Sequence, residues 1–432
     1  MEIKVFKFGG ASVNSVNGVR NVVTILKKYN SSDILAVISA MGKTTNALEE
    51  LLGYYMSGDA VSVVECFYRI YRFHFDIIHE LFPGNDHPVY QHVEDLFTQL
   101  QGHLRRGHLT PGLQLIYDFE YDQIVGYGEL ISTAIVNHFL NESGISSMLF
   151  DARDLIKTNS AYRDAKVDWK ITQTNIKRVI QKYFTSTDKT RRVAVTQGFI
   201  GSDRENNSTT LGREGSDYTA AIFAFALKTK EVTIWKDVPG ILNADPKWFK
   251  NTKKLSKLSY REAIELAYFG ASVIHPKTIK PLENAKIILK VKSFLQPQMK
   301  GTSVENLKEW GLHSPIYILK KSQVLLSISP KDFSFIVEEN LSQIFDILAK
   351  HRVKVNVMQN SAISFSVCVD ANRLLDNQCI ASLQENYTVR YNDNLELYTI
   401  RHYNQAAINR IVKNRKVLLE QKTRSTVQLV IQ

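Results

Sequence analysis

The feature that most constrains this chain is at its start. Residues Ile3 to Phe8 form a short extended run that passes without a linker into Gly9-Gly10 and then into a segment carrying Val19, Val22, Val23 and Leu26 on one helical face. A strand, a glycine turn and a helix follow one another in barely two dozen residues. A second run, Ile34 to Ile38, is apolar throughout, as a strand buried on both faces must be, and it too ends in a small-residue turn, Ser39-Ala40-Met41-Gly42. Strands alternating with helices predict an α/β domain with a largely parallel sheet sandwiched by helices.

Between Leu48 and Leu115 the pattern turns helical and aromatic, with Phe67, Tyr68, Tyr71, Phe75 and Ile78 at helical spacing. These read as core or dimer-contact positions rather than a cofactor box. The α/β alternation resumes with strands near Ser147 to Asp151, Arg192 to Gln197 and Glu231 to Trp235. A helix after Tyr260 and a strand near Ile287 to Val291 close a first domain over residues 1–300. Pro297, Gly301, Gly311 and Pro315 interrupt the pattern before a second region, residues 316–432. Strands at Val324 to Ser329, Lys354 to Met358, Ser364 to Val369 and Thr388 to Tyr391, with helices at Leu341 to His351 and Leu374 to Gln384, give the order βαββαβ of a ferredoxin-like α+β unit. Val355 to Ser361 has an echo in Val417 to Thr423, which predicts a second, shorter copy, either truncated at βαββ or sharing strands with the first.

Composition narrows the function. With 432 residues and 44% hydrophobic content the chain can bury more than one core. No apolar run reaches the length of a membrane span and no signal-peptide pattern opens the chain, so a cytoplasmic protein without membrane contact is expected. The three cysteines, Cys66, Cys368 and Cys379, lack metal-ligand spacing. A net charge of +11 is spread along the chain and mixed with acids, which argues against nucleic acid as a partner. The densest basic stretch, Lys413 to Arg424, reads as a solvated helix end.

Three segments have the chemistry to hold anions. In Lys7-Phe8-Gly9-Gly10-Ala11-Ser12-Val13 a strand-end lysine precedes glycines that let backbone N–H groups approach a phosphate at a helix N-terminus. Ser39-Ala40-Met41-Gly42-Lys43-Thr44-Thr45-Asn46 ends like a P-loop, yet Val37 stands where that motif's first glycine belongs, so it is not one. Thr209 to Thr219 contains Gly212-Arg213-Glu214-Gly215-Ser216-Asp217, a fork-shaped cation and an acid just before a helix, suited to bidentate capture of a carboxylate.

Together these segments resemble the aspartate kinase branch of the amino-acid kinase family, and the resemblance runs over nearly the whole chain. Lys7 to Val13 is similar to the family's opening Lys-Phe-Gly-Gly-Thr-Ser-Val, Gly128-Glu129-Leu130-Ile131-Ser132-Thr133 to its acidic helix start, and Gly212 to Asp217 to its Gly-Arg-x-Gly-Ser-Asp. Lys236-Asp237-Val238-Pro239-Gly240, Asp245-Pro246 and Phe269 to Pro276 resemble its nucleotide-side motifs. The resemblance implies ATP-dependent phosphorylation of the L-aspartate side chain to 4-phospho-L-aspartate, the first step toward lysine, threonine and methionine. It implies Lys7 and Asp217 as catalytic residues, and Ser39, Thr45, Glu129, Arg213 and Ser216 as aspartate contacts. Gly9, Gly10, Lys236, Asp237, Leu242, Lys247 and Ser272 fall on the nucleotide side. Mg²⁺ is expected on ATP oxygens and water, with no protein-built metal site. No general base is needed, because the acceptor carboxylate is already an anion.

The second region resembles the ACT domains that sense amino acids in this family. This implies a threonine or lysine effector, contacts at Asn356, Gln359, Asn360 and Ser361, and a homodimer or higher homo-oligomer. No homoserine dehydrogenase domain is expected after Gln432.

Three positions depart from the pattern. Ala11 replaces a threonine, Glu214 stands where many members carry glycine, and Ser272 stands where a lysine near the phosphates is common, a charge that Lys43 or Lys247 would have to supply. Another amino-acid kinase, such as a glutamate or acetylglutamate kinase, and a catalytically weak amino-acid sensor are the competing readings. The pairing of Glu129 with Arg213 argues against the first, and the presence of Lys7, Glu129 and Asp217 against the second.

Overall fold

The structure, a computed structural model, describes residues 3–432 apart from 30, 85, 110–115, 187–191, 272–273, 308–313, 333 and 372–377. Its contacts divide the chain into two compact units. The first comprises Met1–Ile241, Leu255–Ile264 and Ile274–Lys308, and the second Leu242–Lys254, Glu265–Val273 and Glu309–Gln432.

In the first unit the strands are β1 (Ile3–Phe8), β2 (Asp33–Ile38), β3 (Ser147–Phe150), β4 (Val193–Gln197), β5 (Ile200–Ser202), β6 (Ser208–Thr210), β7 (Glu231–Lys236), β8 (Lys257–Ser259), β9 (Ile288–Ser293) and β10 (Thr302–Glu305). Eight of them make one sheet in the order β3-β4-β2-β1-β7-β9-β10-β8, parallel throughout except between β9 and β10, while β5 and β6 form a separate hairpin. All six residues of β2 are buried, which its unbroken apolar run required. The core around β1 is aromatic: Phe8 stacks on Trp235 at 6.2 Å, and Phe6 and Phe294 meet these rings edge-on.

The helices of this unit are α1 (Val16–Lys28), α2 (Thr44–Ser57), α3 (Ala60–Leu81), α4 (Pro88–Leu109), α5 (Tyr117–Val125), α6 (Tyr127–Glu142), α7 (Ala152–Leu155), α8 (Trp169–Ile176), α9 (Lys182–Thr185), α10 (Gly215–Leu227), α11 (Tyr260–Phe269, whose last turn falls in the second unit) and α12 (Pro276–Ala285). The aromatic stretch of α3 is mostly core: Phe67, Phe75 and Ile78 are buried and Tyr71 stacks on Phe75, whereas Tyr68 is 48% exposed. No helix among the described residues is long and apolar enough to cross a membrane.

The second unit is one six-stranded antiparallel sheet, built from β11 (Ile316–Pro330), β12 (Val355–Asn360), β13 (Phe365–Asp370), β14 (Tyr387–Arg401), β15 (Val417–Lys422) and β16 (Thr426–Ile431), with α13 (Glu338–Lys350), α14 (Gln378–Asn386) and α15 (Gln405–Val412). Its order is β12-β13-β11-β14-β16-β15. The two long central strands run side by side for their whole length. The later part of β11 pairs with β13 and with the start of β14, and the end of β14 pairs with β16 and with the start of β11. The strand that the second copy lacks at its own C-terminal end is supplied by Ile316–Lys320, so the two copies interlock through β11 and β14. The echoed segments become the two edge strands, β12 and β15, and each carries a one-residue register shift at the same place, after Val355 and after Val417.

Segment Leu242–Lys254 packs on this sheet rather than on the first. Tyr317 N–H donates to the Asn243 carbonyl at 2.8 Å, and Phe249 lies against the rings of Tyr317 and Tyr398. A single cut between residues 300 and 316 thus does not separate the units.

Candidate active site

The parallel strands deliver their carboxyl ends to one place, the usual location of a site in an open α/β sheet. Lys7 is the penultimate residue of β1, in register with Val37 of β2 and Ile234 of β7. Its ammonium Nζ lies 2.7 Å from Asp217 Oδ1, and Lys236, the last residue of β7, brings its Nζ within 3.5 Å of Asp217 Oδ2. Asp217 is buried in the first turn of α10, where the helix dipole also favours an anion. Burial works against its ionisation, but Lys7 and Lys236 outweigh it and hold the carboxyl below its usual value. The result is an ionised acid that orients two cations.

Around this pair the loops close tightly. A Cβ on Gly10 would come within 2.7 Å of the Ala40 carbonyl, and Gly42 N–H donates to the Gly10 carbonyl at 3.0 Å, so the Gly9-Gly10 turn and the turn after β2 pack backbone to backbone. On the far side of that second turn, Gly128 lets α6 approach: a Cβ there would sit 2.9 Å from that of Ala40. Ser132 Oγ donates to the Ser39 carbonyl at 2.7 Å, and Ser39 N–H donates to the Phe8 carbonyl at 3.1 Å. Ser39 is buried and Thr45 half-buried in the first turn of α2. Gly198, at the end of β4, has no room for a side chain beside Ser216.

Glu129, in the first turn of α6, is buried among these loops. Its Oε1 accepts from Ala40 N–H at 3.1 Å, while Oε2 has no hydrogen-bond partner among the described residues. Burial pushes its pKa up to about 8, against the backbone N–H groups and the positive charge of Lys7, which pull it down. A buried carboxylate oxygen without a donor is costly unless a cation completes it. Arg213 is exposed and makes no ion pair among the described residues, leaving its guanidinium open to solvent.

Lys7, Gly9, Gly10, Ser39, Thr45, Glu129, Arg213, Ser216, Asp217, Lys236 and Asp237 belong to the first unit, whereas Leu242 and Lys247 belong to the second. Ser272 lies outside the described residues. In the second unit Asn356 is spent internally: its Oδ1 accepts from Lys320 Nζ at 2.7 Å and its Nδ2 donates to Gln323 at 2.8 Å and Asp370 at 3.1 Å. Gln359 and Asn360 are exposed on the edge strand, and Ser361 bonds Ser364.

Sequence reading missed Asp122. Buried in α5, it accepts from Thr210 N–H, Thr210 Oγ and Arg163 N–H at 2.6–3.1 Å, and so fixes the β5-β6 hairpin that leads into the Arg213 loop. Burial raises its pKa to about 6 despite these donors. No spacing around Asp122 signals this, because all its partners are distant in the chain.

The sequence model described as the amino acid kinase family matches residues 2–293. A lysine-sensitive aspartokinase 3 of Escherichia coli (strain K12) is 31% identical over 374 residues, covering 85% of this chain and 78% of that protein. The crystal structure of E. coli aspartokinase III with lysine and aspartate superposes over 100% of this chain and 96% of that one, with 26% identity and a TM-score of 0.81. The same enzyme with aspartate and ADP gives 26% identity and a TM-score of 0.80 over the same coverage. The chain belongs to the amino acid kinase family. Its branch is that of the aspartate kinases, phosphotransferases of the parallel-sheet fold described above followed by an antiparallel unit.

Proposed function

We propose that this chain transfers the γ-phosphoryl group of ATP to the side-chain carboxylate of L-aspartate, giving 4-phospho-L-aspartate and ADP. The observation that carries the reading is Glu129: a buried carboxylate with one open oxygen, electrostatically coupled to Lys7 at the mouth of the anion-binding turns. The ammonium of an amino acid supplies the missing donor. Arg213 takes a substrate carboxylate in its open fork, and Ser39, Thr45 and Ser216 are the further aspartate contacts of this reading.

The acceptor oxygen attacks the γ-phosphorus as the bond to the β-phosphate oxygen breaks, and no proton moves. Charge accumulates on the transferred group, so the chain's task is placement and electrostatic stabilisation. Lys7, aimed by Asp217, meets that charge, and the N–H groups of the Gly9-Gly10 turn meet the phosphate beside it. Lys236 and Asp237 at the end of β7 serve the nucleotide. Mg²⁺ would neutralise phosphate oxygens. Asp217 is engaged by two lysines, so the ion fits as a passenger on ATP. A coupled ADP-release assay over a panel of amino acids tests the reading. Turnover with aspartate alone is expected, and turnover only with glutamate or N-acetylglutamate sinks it.

The second unit is assigned to feedback control by threonine or lysine. Its support is a complete two-copy sheet with exposed polar edge positions, Gln359 and Asn360, and the lysine named with the E. coli enzyme.

A further inference from the structure

Arg213 sits in a loop that would be expected to wander, yet both its neighbours are in the left-handed region: Gly212 at φ +77° and Glu214 at φ +54°. Gly212 suits that conformation. Glu214 does not, since a residue with a Cβ there costs on the order of 1 kcal/mol. Its backbone explains the conformation, because Glu214 caps α10 and its carbonyl accepts from Asp217 and Tyr218 N–H. Its side chain explains what offsets the cost. Glu214 Oε2 accepts from His275 N–H at 2.8 Å, at the N-cap of α12, where a carboxylate also suits the helix dipole.

The same turn of α12 holds the loop from its other side. Lys277 Nζ pairs with Asp164, whose carboxylate fills the space a Gly212 side chain would need. The carboxylate that stands where many members carry glycine is thus directed at a backbone donor, and it makes no ion pair with Arg213 among the described residues.

We propose that Glu214 is a positioning residue that fixes the guanidinium of Arg213 for the substrate carboxylate by latching its loop to His275. This rests on the assignment of Arg213 to aspartate. Glycine at this position relieves the strain but removes the latch, whereas glutamine keeps an acceptor oxygen for the His275 N–H.

The test is steady-state kinetics and melting temperature for E214G, E214Q and R213K in the full chain. E214G is expected to melt at or above the parent temperature and to raise KM for aspartate about three- to tenfold, the size one hydrogen bond supports, with kcat and KM for ATP within about twofold. E214Q is expected to stay within about twofold of the parent in all three constants. An unchanged aspartate KM in E214G overturns the proposal, and so does an E214Q as impaired as E214G, which would make charge rather than the latch the cause. R213K separates the two layers: if it leaves the aspartate KM unchanged, the assignment of Arg213 itself has failed.

Discussion

Asp217 holds Lys7 at 2.7 Å with one carboxylate oxygen and faces Lys236 with the other, from a position that is nearly inaccessible to water. One acid therefore sets the direction of two cations from different strands. Neither lysine is free to swing toward solvent while that acid is ionised.

Lys7→Ala is expected to lower kcat by at least about a hundredfold with little change in the aspartate KM, since it removes stabilisation that grows as charge develops on the transferred group. Single-turnover measurements at saturating ATP check it. Near-normal turnover would take Lys7 out of the mechanism.

Glu129 predicts a pH signature. Its pKa of about 8 in the free protein means that the carboxyl holds its proton at neutral pH, while binding an ammonium requires the carboxylate. Aspartate affinity should therefore rise as pH goes from 7 to 9, and binding at pH 7 should release close to one proton. Calorimetry in buffers of different ionisation enthalpy reads that proton directly. In Glu129→Gln the release should vanish and the aspartate KM rise about tenfold or more; persistence of the proton release would place its source elsewhere.

Stability should fall on mild acidification. Burial lowers the pKa of His74 and of His138 to about 4, the latter also through the neighbouring His92 and His87. Both are neutral in the folded state, with His74 bonded to the Ile70 carbonyl at 2.8 Å. An unfolded histidine takes up a proton near pH 6.5, so the unfolded chain binds more protons between about pH 6.5 and 4. The contribution of these groups is fully present above that window and is lost as pH falls through it. Urea midpoints at pH 7.5, 6 and 5 should decline in that order, and His74→Gln should decline less steeply; equal slopes would rule His74 out.

In the second unit, Asn356→Ala is expected to cost about 1–3 kcal/mol in unfolding free energy, because it removes three side-chain hydrogen bonds, to Lys320, Gln323 and Asp370, from a partly buried network. Gln359→Ala is expected to leave stability within about 0.5 kcal/mol, as exposed substitutions do, and to weaken inhibition by threonine or lysine. That inhibition, a coupling of about 1–3 kcal/mol, should shift the apparent aspartate requirement roughly 5- to 150-fold. If neither amino acid changes the rate or the melting temperature at millimolar concentration, the sensing assignment is withdrawn.

The anion-binding turns were legible because their chemistry is local: a strand, glycines that admit a phosphate, a lysine at the strand end. Glu129 was legible only through the motif around it, since its open oxygen depends on Ala40 and on burial far along the chain. Asp122 was invisible for the same reason. The doubled sheet was half legible. The reading stopped one strand at Val324 and another at Tyr391 because Lys320-Lys321-Ser322-Gln323 and Asn392-Asp393-Asn394 look like turns, and Ser322 and Asn394 do adopt positive φ. In the sheet these two polar stretches are irregularities facing each other inside continuous strands, between Lys320 and Leu325 of β11.

The long pair β11 and β14 has a bearing on how this enzyme can be altered. Since each strand contributes one end to either half of the sheet, no cut in the chain yields one half with all its hydrogen-bond ladders, and excising either copy strips a strand from the other. The two halves must melt together, so amide exchange along Ile316–Arg401 should follow a single opening event. A sensor with one copy deleted would have to be redesigned rather than trimmed.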